Sequence, residues 1–163
     1  MSIDVQRRAL FRGRTVVKDR IRMPWLSSPQ DFTDLCSRCG HCAPACPSGI
    51  IQTGDGGFPE IDFHKGECVF CTECAKACDE NLFDLNRPSP WDISAGVSDQ
   101  CLNNQSVYCR SCMESCDAQA IQFNFTSTLF IAPTVNLSDC TGCGACVSVC
   151  PVKAIAVTSK KSG

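Results

Sequence analysis

Cysteine spacing is the feature that most constrains how this chain can fold. Its sixteen cysteines fall into four blocks of four, with none left over. Three blocks have the spacing C-x2-C-x2-C-x3-C, whereas the third block separates its first two cysteines by seven residues and keeps the last two intervals. In chain order the blocks are Cys36, Cys39, Cys42, Cys46; Cys68, Cys71, Cys74, Cys78; Cys101, Cys109, Cys112, Cys116; and Cys140, Cys143, Cys146, Cys150. A chain so rich in cysteine is expected to fold around cross-links or inorganic centres, because its apolar core is small.

The spacing is typical of the ligand runs of bacterial-type [4Fe–4S] ferredoxins. In that arrangement three close thiolates hold one cluster, and the fourth reaches the other cluster of a pair. All sixteen cysteines are therefore predicted cofactor and iron ligands, and at four thiolates per cluster they predict four [4Fe–4S] clusters. The predicted fold is α+β: tandem, small and loop-rich ferredoxin-like units with pseudo-twofold symmetry.

The distances between blocks favour pairing the first block with the second and the third with the fourth. Measured on the third cysteine of each block, the steps are 32, 38 and 34 residues, so the longest step separates the two halves. Crossed ligation then predicts four cluster sites: Cys36, Cys39, Cys42 with Cys78; Cys68, Cys71, Cys74 with Cys46; Cys101, Cys109, Cys112 with Cys150; and Cys140, Cys143, Cys146 with Cys116. A nested pairing, of the first block with the fourth and of the second with the third, is the alternative.

The chain divides into five predicted segments. A basic N-terminal arm spans 1–30, a first ferredoxin-like unit with two clusters 31–85, a linker 86–100, a second unit with two clusters 101–158, and a tail 159–163. The linker is predicted because Pro88 and Pro90 prevent a continuous helix or central strand. The arm carries seven of the fifteen Lys and Arg residues against two aspartates, in a chain of formal net charge −2.

Compartment and metal chemistry have alternatives of their own. The first residues contain no apolar run of signal-peptide length, and although Arg7 and Arg8 form a twin-arginine pair, basic residues follow them. No stretch approaches the length of a transmembrane helix, so a soluble cytoplasmic protein is expected. In that reducing compartment disulfides are disfavoured. Zinc would use pairs of C-x2-C, but it would leave the third and fourth cysteine of every block unexplained.

Smaller features add expectations about individual sites. The residues between Cys101 and Cys109 are expected to loop out while Cys101 still reaches the iron, the alternative being a replacement ligand. Gly40, Gly142 and Gly144 are expected to let the backbone curl around sulfide. Phe70 and Tyr108 are candidates for screening clusters from water. Asp79 and Asp117 replace the proline that follows the last cysteine elsewhere, and each is interpreted as capping a turn.

A resemblance that covers nearly the whole chain is carried by Ile3, Asp4, Arg7, Arg8, Gly13, Arg14, Pro24, Trp25, Trp91, Asp92, Cys101, Leu102, Gln105, Ser106 and Val107. In these residues the chain resembles the NapF family, ferredoxin-type accessory proteins of periplasmic nitrate reductase systems. It implies a cytoplasmic protein with four [4Fe–4S] clusters. It also implies contact with the nitrate reductase catalytic subunit before export, in maturation of that subunit or in electron supply to it.

These observations favour an electron-transfer or maturation protein over an enzyme with its own substrate, because no nucleotide loop, nucleophile elbow or zinc-protease motif is present. The first hypothesis is docking on the catalytic subunit through the arm, with Arg7, Arg8, Arg12 and Arg14 as predicted partner-binding residues. A general ferredoxin-like carrier or quinol-linked electron-transfer subunit is the alternative, and a cluster-stabilised scaffold is a third. No nucleic-acid partner is predicted, and contact of the arm with a membrane surface is an alternative that is not itself predicted.

Overall fold

The computed structural model describes residues 20–123 and 132–160. The described α-helices have four residues each: α1 (Phe32–Leu35), α2 (Glu73–Lys76), α3 (Ser111–Glu114) and α4 (Ala145–Ser148). The described strands are β1 (Ile51–Thr53), β2 (Pro59–Ile61), β3 (Ile93–Val97), β4 (Ile121–Gln122), β5 (Thr134–Val135) and β6 (Ile155–Ser159). Two 3-10 turns lie at Asp55–Gly57 and Leu102–Gln105. The short elements agree with the predicted small, loop-rich α+β fold.

In the described residues the strands form three two-stranded antiparallel sheets. β1 pairs with β2 between the first and second cysteine blocks, and β4 pairs with β5 between the third and fourth. β3 precedes the third block and pairs with β6 after the fourth, from Ile93 opposite Ser159 to Val97 opposite Ile155. The second half is thus closed by a sheet that joins its beginning to its end.

The first half is closed in a similar way by a shorter contact. Leu26 and Phe83 form an isolated antiparallel bridge. Next to it, the Ser27 amide donates to the Leu82 carbonyl and the Asp84 amide donates to the Trp25 carbonyl, both at 2.8 Å. Each half therefore repeats one order: a closing strand segment, a cysteine block, a strand pair, a second block and a closing partner. This repetition is what tandem ferredoxin-like units require.

Residues 20–27 belong to the body of the protein and not to a solvated arm. Met23 and Leu26 are buried, and Arg20 forms an ion pair with Asp55 at 2.9 Å. The Ile61 amide donates to the Ile21 carbonyl at 2.8 Å, which ties this segment to β2. The charge pattern that predicted an arm to residue 30 missed these contacts, because an alternation of basic and apolar residues also suits a segment lying half-buried on a sheet edge.

The predicted linker, residues 86–100, also has structure. It contains β3, and it contains Trp91, whose side chain is buried between the two halves. The Trp91 ring contacts Phe63 and Phe70 edge to face, with centroids 5.9 and 5.8 Å apart, and its Nε1 donates to the Thr141 carbonyl at 2.8 Å. Pro88 and Pro90 both precede β3 in the chain, so they do not prevent that strand from forming.

None of the described helices is long and apolar enough to cross a membrane.

Candidate metal centres

The three regularly spaced blocks share a backbone pattern around their second cysteine. The residue before it and the residue after it both have positive φ, the left-handed conformation. The pairs are Arg38 and Gly40 (59° and 82°), Phe70 and Thr72 (53° and 65°), and Gly142 and Gly144 (75° and 83°). Gly40, Gly142 and Gly144 have the left-handed backbone conformation that such curling needs, and their role around sulfide stays a prediction. Left-handed residues between right-handed ones turn successive amides toward a common concavity, a form typical of iron–sulfur sites.

The third cysteine of every block is the buried one. Cys42, Cys74, Cys112 and Cys146 are between 7% and 9% exposed. In the last three blocks this cysteine is the second residue of a one-turn helix, α2, α3 or α4. Burial raises the pKa of Cys42 and Cys112 to about 11 and of Cys74 and Cys146 to about 12. These thiols are therefore protonated at neutral pH until a metal displaces the protons.

The first cysteine group combines Cys36, Cys39 and Cys42 with Cys78 from the second block. All four line one cavity. Burial is the largest cause of the raised pKa of Cys42, and the charges of the other three cysteines raise it as well. Four thiols around one cavity match the ligand number of a [4Fe–4S] cluster.

The second cysteine group combines Cys68, Cys71 and Cys74 with Cys46 from the first block. The pKa of Cys68 is raised to about 11, mainly by burial and also by the charges of neighbours that include Cys46 and Cys71. The same neighbours, with Cys68, act on Cys74. The fourth cysteines of the first two blocks have thus changed places, which is the crossed arrangement predicted for a ferredoxin-like pair.

The second half repeats the exchange. The third cysteine group, Cys101, Cys109, Cys112 and Cys150, lines a cavity of its own, as the first group does. In the fourth cysteine group, Cys140, Cys143 and Cys116 are among the neighbours whose charges raise the pKa of Cys146. The structure therefore brings the blocks together consecutively, and the nested alternative does not describe it.

The donor set suits a cluster with several irons. In the described ranges 20–123 and 132–160, no three His, Cys, Asp or Glu side chains converge as ligands of a single metal ion. The first and third groups instead line cavities, and the first, second and fourth blocks have left-handed loop residues, which fits clusters carrying their own sulfides. The sulfur of Cys150 also accepts a hydrogen bond from the Ala154 amide at 3.2 Å. Such amide–sulfur bonds tune the potential of a bound cluster.

The stretched third block is held by a residue that the sequence reasoning missed. The extra residues begin with the 3-10 turn Leu102–Gln105, and Cys101 still lines the cavity of the third group. Asn103, 4% exposed, donates to the Cys109 carbonyl at 3.0 Å and accepts from the Cys109 amide at 3.1 Å. One side chain thus replaces the tight turn of the other blocks. An asparagine inside an insertion was the only signal in the sequence.

Replacing Asn103 by alanine is expected to loosen the third cysteine group. The change leaves the part-buried amide and carbonyl of Cys109 without their Asn103 partner, at a cost of up to about 1–3 kcal/mol each. We expect N103A to lose about a quarter of its iron faster than the unaltered protein when a chelator is added anaerobically. Gln105→Ala is the matched control, since Gln105 is exposed and lies in the same turn. Equal iron loss from both variants would contradict this role of Asn103.

The other expectations about single residues have different outcomes. Phe70 is partly buried against the core, whereas Tyr108 is 67% exposed and lies near the Arg110 guanidinium, so Tyr108 is a surface residue and not a screen. Asp79 lies 3.4 Å from Nδ1 of His41 at the surface. The predicted partner-binding residues Arg7, Arg8, Arg12 and Arg14 lie outside the described residues.

Comparison with known proteins agrees with the geometry. The model of the 4Fe-4S dicluster domain matches residues 35–82 and again 107–154, once in each half. The ferredoxin-type protein NapF of Escherichia coli strain K12 is 42% identical over 156 residues, covering 95% of both chains. NapF of Haemophilus influenzae is 40% identical over 141 residues, covering 86% of this chain and 80% of its own.

More distant relatives have the same general description. The ferredoxin-type protein NapG of Haemophilus influenzae is 31% identical over 160 residues, which cover 84% of this chain and 57% of NapG. With two dicluster matches and NapF relatives aligned along almost its whole length, the chain belongs to the ferredoxin-type NapF family of 4Fe-4S dicluster proteins.

Proposed function

We propose that this protein carries four [4Fe–4S] clusters, one on each cysteine group, and acts as an accessory protein of periplasmic nitrate reductase. Its place is the cytoplasm, and its partner is the catalytic subunit before export, which it helps to mature or supplies with electrons. The convergence of all sixteen cysteines into four groups of four, in a chain of the NapF family, carries the proposal. The proposal includes pseudo-twofold symmetry within each ferredoxin-like unit.

Different residues have different parts in this proposed role. The sixteen cysteines bind iron, the left-handed loops direct amides toward sulfur, and Asn103 holds Cys109 in place. A bound cluster supplies one-electron redox chemistry. The protein has no substrate of its own in this account and works by meeting its partner. Arg7, Arg8, Arg12 and Arg14 are the proposed contacts, because four cations within eight positions attract an acidic surface.

A truncation that tests the arm must leave the folded first half of the protein intact. Because residues 20–27 are part of the first half, removing 1–26 would damage the fold as well as the arm. Substitution of the four arginines avoids this difficulty. We expect R7A/R8A/R12A/R14A to bind the purified, unexported catalytic subunit about tenfold or more weakly, with a smaller difference at high salt.

One binding experiment provides the control for the arm variant and also tests the alternative function, a general electron carrier. Lys65→Ala with Lys76→Ala removes two exposed cations from the body, and R7A/R8A removes two from the arm. Binding measured by biolayer interferometry should weaken only for the arm variant. If the unaltered protein, loaded with clusters, does not bind the catalytic subunit and is reduced equally fast by unrelated redox donors, the general electron carrier is the better account.

A further inference from the structure

A backbone hydrogen bond joins cysteine loops of the two halves. The Cys68 amide donates to the Cys143 carbonyl at 2.8 Å. Cys68 belongs to the second cysteine group and Cys143 to the fourth. The two residues are therefore direct neighbours, with no side chain between their main chains.

The glycines on both sides of Cys143 permit this approach. A Cβ atom built on Gly144 would overlap the ring of Phe63, which belongs to the first half. A Cβ atom on Gly142 would lie 2.9 Å from both the Ile93 carbonyl and Nε1 of Trp91. Both glycines also have positive φ, so both backbone conformation and space favour glycine here.

Aromatic packing holds the same contact from the side. Trp91 donates to the Thr141 carbonyl, next to Gly142, and its ring meets Phe70, which lies between Cys68 and Cys71. Phe70 in turn meets Trp25 edge to face, with centroids 6.0 Å apart. The loops of the second and fourth groups are thus fixed against each other by the join between the halves.

Within each half, the groups are already linked by the exchange of their fourth cysteines. The first group takes Cys78 from the second block, and the third group takes Cys150 from the fourth. Adding the contact between Cys68 and Cys143 places the groups in one order of neighbours: first, second, fourth, third. The first and third groups are the two ends of this order.

We propose that the contact between Cys68 and Cys143 is the route by which the two halves exchange electrons. The inference rests on the proposed function in requiring bound clusters. In one transfer the cluster on one side of the contact is oxidised by one electron and the cluster on the other side is reduced by one. No proton moves and no covalent bond forms or breaks. The protein then works as one four-centre relay with an entry and an exit at its first and third groups.

Two glycine variants test the contact in the full chain. Gly144→Ala places a Cβ against Phe63, whereas Gly40→Ala, at the same position of the first block and at nearly the same φ (82° against 83°), meets nothing within 4 Å. Iron content is measured first. In the EPR spectrum of dithionite-reduced protein, we expect G144A to lose spin coupling that G40A keeps. Identical spectra from the two variants at full iron content would overturn the proposal.

If G144A loses iron, a second pair of variants tests the coupling between the second and fourth groups. Cys39→Ala, Cys78→Ala, Cys109→Ala and Cys150→Ala together leave only the second and fourth groups complete. Cys46→Ala, Cys71→Ala, Cys116→Ala and Cys143→Ala leave only the first and third. We expect a spin-coupled spectrum from the first protein and isolated signals from the second. Isolated signals from both would overturn the proposal, whereas an unaltered protein without iron and sulfide would overturn the proposed function instead.

Discussion

Adding Cys78→Ala to a protein that already carries Cys36→Ala and Cys39→Ala is expected to cost no further iron. The double variant removes two ligands of the first group and should lower the iron content from about sixteen to about twelve per chain. Cys78 belongs to the same group, since it lines the same cavity, so its loss adds nothing.

Adding Cys150→Ala to the same double variant is the matched comparison. Cys150 lines the cavity of the third group, so this triple variant damages a second site and should fall below twelve irons, toward about eight. Nested pairing of the blocks predicts the reverse, with Cys150 adding nothing and Cys78 costing a second cluster. Iron and acid-labile sulfide of the three anaerobically purified proteins distinguish the two arrangements.

Replacing Trp91 by alanine is expected to have the largest effect on stability among the apolar positions considered. The change removes the ring that contacts Phe63 and Phe70, and it leaves the Thr141 carbonyl without its donor. Truncating a buried tryptophan costs about 3–5 kcal/mol. For a chain of this length that corresponds to a midpoint lower by roughly 10 °C, measured anaerobically as the loss of cluster absorbance on heating.

Two further variants separate packing from hydrogen bonding at this position. Trp91→Phe keeps an aromatic ring but loses the donor and part of the ring volume, so we expect a smaller cost, of about 1–2 kcal/mol. Leu85→Ala changes an exposed residue, 48% accessible, and should cost about 0.5 kcal/mol or less. A midpoint for W91A equal to that of L85A would contradict the role of Trp91 in joining the halves.

The sequence predicted best what depends on spacing within a few residues. The family of the chain, the cysteine blocks and the left-handed glycines follow from local pattern, because a tight loop around a cluster needs fixed intervals and residues that accept positive φ. Gly40, Gly142 and Gly144 are examples. The closing strand Ile155–Ser159 likewise lies where apolar residues precede a polar tail.

The contacts between distant residues could not be predicted in the same way. Pro88 and Pro90 indicated a linker, yet Trp91 directly after them is a buried joint, because its partners Phe63, Phe70 and Thr141 lie far away in sequence. The burial of Met23 depends on the rest of the first half and carries no local signal. The hydrogen bond from Cys68 to Cys143 is likewise a product of how the two halves pack.

The central claim is that four [4Fe–4S] clusters occupy the four cysteine groups. Its most direct test is the content of iron and acid-labile sulfide per chain in protein purified without oxygen. We expect about sixteen of each. About eight of each would contradict the claim for two of the groups, and zinc without sulfide would contradict it for all four.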